Sequence, residues 1–355
     1  MNAAQPLSIV PATRVPLSEL VALMAAQAVR LVSLDPRLDG ILYGPSEIEA
    51  VLSRQLNQPD RVPLGLLDQH GRVRGYALPD VWELAEHSPL HAFLTPRNGI
   101  ACSLTLPPAN DPAAPMAVKT MLTALSTDWH ATRNRITGDL IRWPACDTAW
   151  LQPTLEQQGF VLDSICAFRP QSTPLPTQSS EAASIELREA SPADEEALVQ
   201  LFVEELKVHE QCVPCARVSP AAIAGFRQKL ARLWQGGRLD EGAPLVLVAA
   251  KEQQVVGMAE CMLLHVERYE EPGWTPPGNY GCLDNVCVAP TARGLGVGAQ
   301  LARAALALFA ARSDLNGSLL WYSPDNRFAA DFWTRRGFHP LWSTYQRIHL
   351  VSHYG

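Results

Sequence analysis

Three glycines at alternate positions, Gly294, Gly296 and Gly298, follow Arg293 and precede Ala299-Gln300-Leu301-Ala302-Arg303-Ala304-Ala305-Leu306. Val286-Cys287-Val288-Ala289-Pro290 runs before them. Without Cβ atoms, the backbone at these glycines can turn tightly and come close to another group. The alanine- and leucine-rich segment has helical character, and a helix start offers unpaired N–H groups and the positive end of its dipole. A β-branched strand, a glycine turn and a helix N-terminus in succession make an anion cradle suited to a pyrophosphate. Arg293 and Leu295 complete the turn, and Arg293 adds fixed positive charge at its mouth. Three ligands compete for such a cradle. A dinucleotide turn needs Gly-x-Gly-x-x-Gly with an acid about 20 residues on. Here the spacing is Gly-x-Gly-x-Gly, and Asp314 falls at the end of the helix. A nucleotide P-loop needs Gly-Lys-Ser/Thr, which is absent. The third pattern is Arg-x-x-Gly-x-Gly after a strand ending in Val-x-Val. A glycine-rich turn with no ligand is the plain alternative.

A second element narrows the choice. In Asn326-Arg327-Phe328-Ala329-Ala330-Asp331-Phe332-Trp333-Thr334-Arg335-Arg336-Gly337-Phe338, Asn326 suits an N-cap. Ala329, Phe332 and Trp333 share one face of a short helix, and Gly337 stops it. The two elements together resemble the GNAT acyltransferases, whose acyl-CoA loop is carried here by Arg293, Gly296 and Gly298. The resemblance implies that an acyl group, most often acetyl, passes from acetyl-CoA to an amine.

The chain of 355 residues is long enough for two domains, and 47% hydrophobic residues supply packed cores. A net charge of −7 argues against nonspecific nucleic-acid binding. No segment approaches 18 uninterrupted apolar residues, so no transmembrane helix is expected. Met1-Asn2-Ala3-Ala4-Gln5-Pro6 lacks the regions of a signal peptide. Eight cysteines without an export signal read as reduced cytoplasmic thiols. Cys212-Val213-Pro214-Cys215, with His209 upstream, has no second ligand pair at zinc spacing, so two thiols in a loop between helices are expected and no metal.

Pro170 to Ser180, rich in Pro, Ser, Thr and Gln, reads as a linker. After it come a strand at Ile185 to Ala190, helices from Ser191-Pro192 and over Ala221 to Trp234, strands at Leu245 to Ala250 and Val255 to Val266, and the strand Leu283 to Val288. The first half echoes this order. It has a strand at Ser8 to Pro11, helices at Leu17 to Val29 and Pro45 to Leu56, a hairpin of Leu64 to Leu67 with Val73 to Leu78, a strand at Ile100 to Leu106, and a helix from Thr148 that stops at Gly159-Phe160. A degenerate tandem repeat is expected: a GNAT-like domain over 1–169, a linker over 170–183 and the active domain over 184–355. Each would be α+β or α/β, a mixed, mostly antiparallel central sheet flanked by helices. Where the second half has its glycines, the first has Pro108-Ala109-Asn110-Asp111-Pro112-Ala113-Ala114-Pro115. Three prolines without N–H groups and an acid make a poor pyrophosphate cradle. The first domain is expected to bind no acyl-CoA and to pack beside the second, with shaping of the acceptor site a further role.

The resemblance also implies the site. Main chain of Val286, Cys287 and Val288 would polarise the thioester carbonyl, and backbone from Arg293 through Gly294, Leu295 and Gly296 to Val297 would take the pyrophosphate. Asn326, Phe332 and Trp333 would line the pantetheine arm. The attacking amine must lose a proton and the thiolate must gain one. Asp284 is the favoured general base, since alternation puts it on the face of Val286 and Val288. Glu260 on the adjacent strand is the second candidate, acting directly or through water. A structural acid satisfied by backbone donors is the plain reading of Asp284. Trp333 stands where many relatives carry the tyrosine acid, and an indole N–H does not titrate. Tyr322 or Tyr345 could serve instead, or the thiolate leaves to water. His209, Glu210 and the acids Glu204, Glu205, Glu267, Glu270 and Glu271 sit where charge could draw a cationic amine or merely be solvated. The implied acceptor is a small-molecule amine, and the chain a monomer or homodimer without nucleic-acid or membrane partners. A CoA-binding sensor without turnover and a nucleotide-binding oxidoreductase are the rivals.

Overall fold

The computed structural model describes residues 6–39, 44–86, 88–132, 136–176, 185–213, 215–268, 275 and 277–349. The first half contributes strands β1 (Ser8–Pro11), β2 (Leu64–Leu67), β3 (Val73–Glu83), β4 (Arg97–Thr105), β5 (Gly138–Pro144) and β6 (Val161–Pro170). Its helices are α1 (Leu17–Leu34), α2 (Pro45–Leu56), α3 (Ala114–Thr132) and α4 (Gln152–Gln157). The second half repeats the order with β7 (Glu186–Glu189), α5 (Glu195–His209), α6 (Pro220–Trp234), β8 (Leu245–Lys251), β9 (Gln254–Val266), β10 (Gly278–Val288), α7 (Val297–Ala310), β11 (Gly317–Tyr322), α8 (Arg327–Thr334) and β12 (His339–Ile348). The architecture is α+β: a large, mostly antiparallel sheet flanked by helices.

The described strands form one sheet in the order β1-β2-β3-β4-β5-β12-β6-β11-β10-β9-β8-β7. The order is a palindrome with one exchange at its centre. β12, the last strand of the second half, pairs with β5 of the first, and β6 pairs with β11 of the second. β12 and β6 then pair antiparallel with each other. Each half completes the other's sheet.

Alternation along the strands sends opposite faces into different cores. Tyr76, Leu78 and Ile100 pack beneath α1 and α2, while their neighbours Ala77 and Ala101 meet α3. Val248 and Met258 pack beneath α5 and α6, while Ala249 and Ala259 meet α7. The halves interlock above the central strands. Leu31 at the end of α1 packs on Cys166, Tyr280 and Leu319. The 3₁₀ turn Pro89–Ala92 of the first half lies on α6, with Ala92 buried among Leu198, Phe202 and Phe226. In return Arg268, after β9, pairs with Glu47 of α2 at 2.7 Å.

Three expectations need correction. β10 starts at Gly278 and β3 runs on to Glu83, past Pro79, because bulges let these strands change partners along their length. The α4 helix is shorter than Thr148 to Gln158. Among the described residues α1 is long and apolar enough, by length and composition, to cross a membrane, although Glu19, Gln27 and Arg30 interrupt its apolar run. In the fold α1 is tied to the sheet layer: Gln27 donates to the Leu104 carbonyl at 3.0 Å, and Arg30 makes a bidentate pair with Asp147 at 2.8 and 2.9 Å. Of the expected linker, 171–176 is held by its neighbours: Arg169 donates to the Thr173 and Pro174 carbonyls, both at 2.8 Å, and Gln171 to Phe309 and Arg312 at 3.0 Å. Residues 177–183 lie outside the described set.

Candidate active site

The loop from Ala289 to Gly296 connects β10 to α7. A short 3₁₀ turn, Pro290–Ala292, starts it, and Arg293 Nε returns to the Val288 carbonyl at 3.3 Å. Gly294 and Gly296 have φ of +81° and +77°, the left-handed region that an L side chain adopts at a cost. Gly298 has no such φ. A Cβ there would lie 3.5 Å from Val288 Cγ2 and 3.7 Å from Phe332 Cζ. No side chain caps the start of α7, and its first turn carries no acid. Its leading N–H groups and dipole face outward beside exposed Arg293.

The equivalent place in the first half is built differently. Asp111 Oδ1 accepts from the Ala113 N–H at 2.8 Å just before α3, and the same carboxylate pairs with Arg74. An internal carboxylate holds the position an anion would take, and three prolines remove donors around it.

β10 and β11 run parallel but pair only from Tyr280–Gly317 to Leu283–Leu320. Beyond that the strands part into a V. The parting coincides with a slip on the other edge of β10, where the register with β9 shifts at Asp284: Leu283 pairs with Cys261 but Asn285 pairs with Glu260. Asp284 is a bulge residue, and a bulge re-aims side chains. This corrects the simple alternation. Val286 and Val288 pack toward α7, whereas Asp284 meets Lys229 of α6 on the opposite face.

The two expected acids come together on that lysine. Lys229 Nζ donates to Glu260 Oε1 at 2.5 Å and to Asp284 Oδ2 at 2.6 Å. Glu260 is wholly buried, and its other oxygen accepts from Asn285 Nδ2 at 2.6 Å. Burial first, then the Asp284 charge, pushes the Glu260 carboxyl up to about 7 against the opposing pull of Lys229 and Asn285. The paired carboxylates hold the Lys229 ammonium well above its ordinary range despite burial. Asp284 is the exposed member, its side chain 35% accessible. Sequence reasoning missed Lys229. Its signal was position: it follows Phe226 by three and Gly225 by four, on the buried face of α6.

Cys287 points to the α5 side, where its thiol meets the Glu205 carboxylate; burial and that acid hold the thiol well above its ordinary range. His209 Nε2 lies 3.6 Å from Glu205, and Phe93 of the first half meets the imidazole edge-on at 5.3 Å. Of the remaining acids, Glu204 pairs with Lys207, Glu210 accepts from the Val218 N–H, and Glu267 pairs with His265. Glu270 and Glu271 lie outside the described residues, as does Pro214 between Cys212 and Cys215, both thiols in the α5–α6 connection.

Asn326 caps α8 by accepting from the Ala329 N–H at 3.1 Å. Phe332 lies beside the start of α7 with the Arg336 guanidinium 3.4 Å over its ring. Trp333 turns into the core against Phe338, their ring centroids 5.5 Å apart. Tyr322 ends β11 within the same core, where burial raises its hydroxyl. Tyr345 does not join them. The strand exchange carries it into the first half, wholly buried among Trp129, Trp143 and Phe160. Its nearness in sequence to Trp333 is not nearness in space.

Residues 211–338 match the acetyltransferase (GNAT) family model. Over those residues the chain is similar to that family. The match ends at Phe338, where the chain leaves its own half to form β12. A GCN5-related N-acetyltransferase from Sphaerobacter thermophilus is 15% identical and superposes over 96% of this chain and 95% of its own, with a TM-score of 0.50. A tandem GNAT protein from the clavulanic acid biosynthesis pathway is 14% identical, with 97% and 98% covered and a TM-score of 0.41. A GNAT-family acetyltransferase from Colwellia psychrerythraea is 13% identical, with 96% and 98% covered and a TM-score of 0.42. At these identities the likeness is one of fold. No curated protein matches the sequence. The two halves repeat one element order. Both have a parallel strand pair that parts, β4 from β5 after Ile100 and β10 from β11 after Leu283. Among the described residues only the second half adds left-handed glycines before an uncapped helix and two carboxylates, Glu260 buried and Asp284 exposed, on one lysine.

Proposed function

We propose that the chain is an N-acyltransferase, with acetyl-CoA as donor and a primary amine of a small molecule as acceptor, working at one site in its second half. The observation that carries this reading is the juxtaposition of the uncapped α7 start with the V between β10 and β11, at whose apex Lys229 joins Glu260 to Asp284. The donor's pyrophosphate suits the N–H groups from Arg293 to Gly298, and its pantetheine arm the seam between Val288 and Phe332. Trp333 supports that wall from within the core and does not line it. Asn326 shapes it by capping α8.

In this reading backbone N–H groups of β10 beyond the bulge, within Val286 to Val288 and turned away from β9, donate to and orient the thioester carbonyl. Asp284, the exposed acid, takes the proton of the attacking amine. Glu260 sets the charge of the pair: with its carboxyl near neutrality and Lys229 bonded to both acids, a proton gained at Asp284 can be shared inward. Attack is direct, with no acyl-enzyme, because the buried Cys287 thiol is held protonated by Glu205 and is a poor nucleophile. The first half, 1–169, would serve as a scaffold without donor, joined by 170–183 to the active unit 184–355. The eight cysteines favour a reducing compartment, the cytoplasm in this reading.

One observation favours a second reading, a CoA-binding sensor. Trp333 is buried where a titratable acid would be expected. Acetyl-CoA consumption over a panel of small amines, for wild type and Asp284→Asn, separates the two. Turnover lost in the variant supports the transferase, and tight CoA binding with no turnover on any amine overturns it.

A further inference from the structure

The strand exchange leaves polar groups at the seam that acyl transfer does not use. Asp163 is the bulge residue of β6, where its register with β12 slips: Ser164 pairs with Thr344, and Leu162 with Tyr345. Its carboxyl is buried, at 4% exposure, and Oδ1 has no hydrogen-bond partner. The Ser164 hydroxyl, the Arg142 guanidinium and the His209 imidazole are its neighbours. Gln346 of β12 is wholly buried; the Cys215 thiol beside it is at most a weak, poorly aligned partner, and neither amide atom makes a well-formed hydrogen bond. His209 Nδ1 is likewise buried without a partner. Native proteins rarely leave buried polar atoms unpaired. Four of them on three segments call for a partner from outside the chain.

The place of the cluster names that partner. His209 is tied through Glu205 to Cys287, in the part of β10 that has left β11. Asp163 lies two residues from Ile165, the partner of Tyr322 at the end of β11. The cluster therefore lies at the open end of the V, on the face where Asp284 meets Lys229. Phe93 of the first half closes it at His209, and the Ala92 carbonyl fixes that turn by accepting from the Arg217 N–H at 3.1 Å.

We propose that Asp163 and Gln346, brought to His209 by the strand exchange, bind the far end of the acceptor, and that the acceptor is a small amine carrying a hydroxyl. Asp163 Oδ1 and the Gln346 amide oxygen accept and the Gln346 amide N–H donates; a hydroxyl gives its one hydrogen to one of these oxygens and accepts from the amide. A carboxylate there would be repelled by Asp163. A second ammonium is less well matched, because Arg142 already balances Asp163. This inference rests on the acyl-transfer reading and makes both halves of the chain necessary for acceptor choice.

The test compares aminoalkanols of increasing length with n-alkylamines of equal heavy-atom count, for example 4-aminobutan-1-ol with pentan-1-amine. One hydrogen bond in a buried site sets the ratio of kcat/KM at about ten or more for the best length in wild type, and Asp163→Asn and Gln346→Met each reduce that ratio about tenfold. Because the readout is a ratio within one protein, partial misfolding of a variant cancels. Titration calorimetry of the same aminoalkanol with CoA present reads binding without turnover. Binding that both variants abolish, with no turnover of any amine, upholds the cluster and removes the transferase. A wild-type ratio near one, or a ratio unchanged in both variants, overturns the inference and leaves the cluster to bound water only.

Discussion

Gly298 offers a way to separate folding from donor binding. It is the second residue of α7, at an ordinary helical φ, so alanine fits the backbone there. The added methyl would touch Val288 Cγ2 at 3.5 Å and the Phe332 ring at 3.7 and 3.8 Å, ordinary contacts. Alanine is favoured over glycine in helices by up to about 1 kcal/mol, and less in a first turn, so Gly298→Ala should leave unfolding free energy unchanged or raise it by about 0.5 kcal/mol. The same methyl fills the seam between β10 and α8, beside the N–H groups assigned to the pyrophosphate. Displacing a phosphate from one charge-assisted hydrogen bond costs about 1.5–3 kcal/mol, which weakens CoA binding by roughly 10- to 150-fold. Gly296→Ala is the contrast. At φ +77° it strains the backbone by about 1–2 kcal/mol, so stability and affinity fall together. Urea unfolding and titration calorimetry with CoA read the two effects. CoA affinity within twofold of wild type in Gly298→Ala would refute the assignment of this loop.

The remaining predictions concern the acids and the number of sites. Glu260, pushed up to about 7, must be ionised for the pair to accept a proton, so kcat/KM should fall as pH drops through about 7; in Glu260→Gln that limb should disappear, and an unchanged limb assigns it elsewhere. Lys229→Met leaves Glu260 buried beside Asp284 without their shared cation. We expect a loss of about 3 kcal/mol at pH 8, where the carboxyl is charged, and a smaller loss at pH 5.5, where it is neutral; equal losses at the two pH values would contradict the role given to Lys229. The sign follows from the raised carboxyl: the proton-bound native form is favoured below about 7, so the demand for a countercharge grows as pH rises. Calorimetry should find one CoA per chain, since Asp111 and Arg74 hold the corresponding place in the first half; two would show that this half binds as well.

Much of the local structure was legible in the sequence. Asn326 caps its helix and Gly337 ends it at φ +83°, as their residue types require. Gly294 and Gly296 adopt the left-handed conformations that only glycine takes cheaply. The duplication could be read from repeated strand and helix patterns, and the loss of the loop at Pro108 to Pro115 from composition alone. These are properties of neighbouring residues. Local sterics and hydrogen bonding decide them before the chain is compact.

Tertiary structure decided what depends on register and on partner. Alternation put Asp284 with Val286 and Val288, but a one-residue slip against β9 turned it to the opposite face, toward Lys229. Nothing in the strand's own residues marks the slip, because a bulge is a property of two strands. The exchange of β6 and β12 is of the same kind. Either strand offers the same alternation to either sheet, so sequence cannot say which sheet it joins; the choice carried Tyr345 out of the second half and Asp163 to its mouth. Residue patterns along the chain marked a repeated element order and one glycine loop, the one proposed to hold an anion. Only the packed sheet determined which acids share a lysine and which half lends its strand to the other's site.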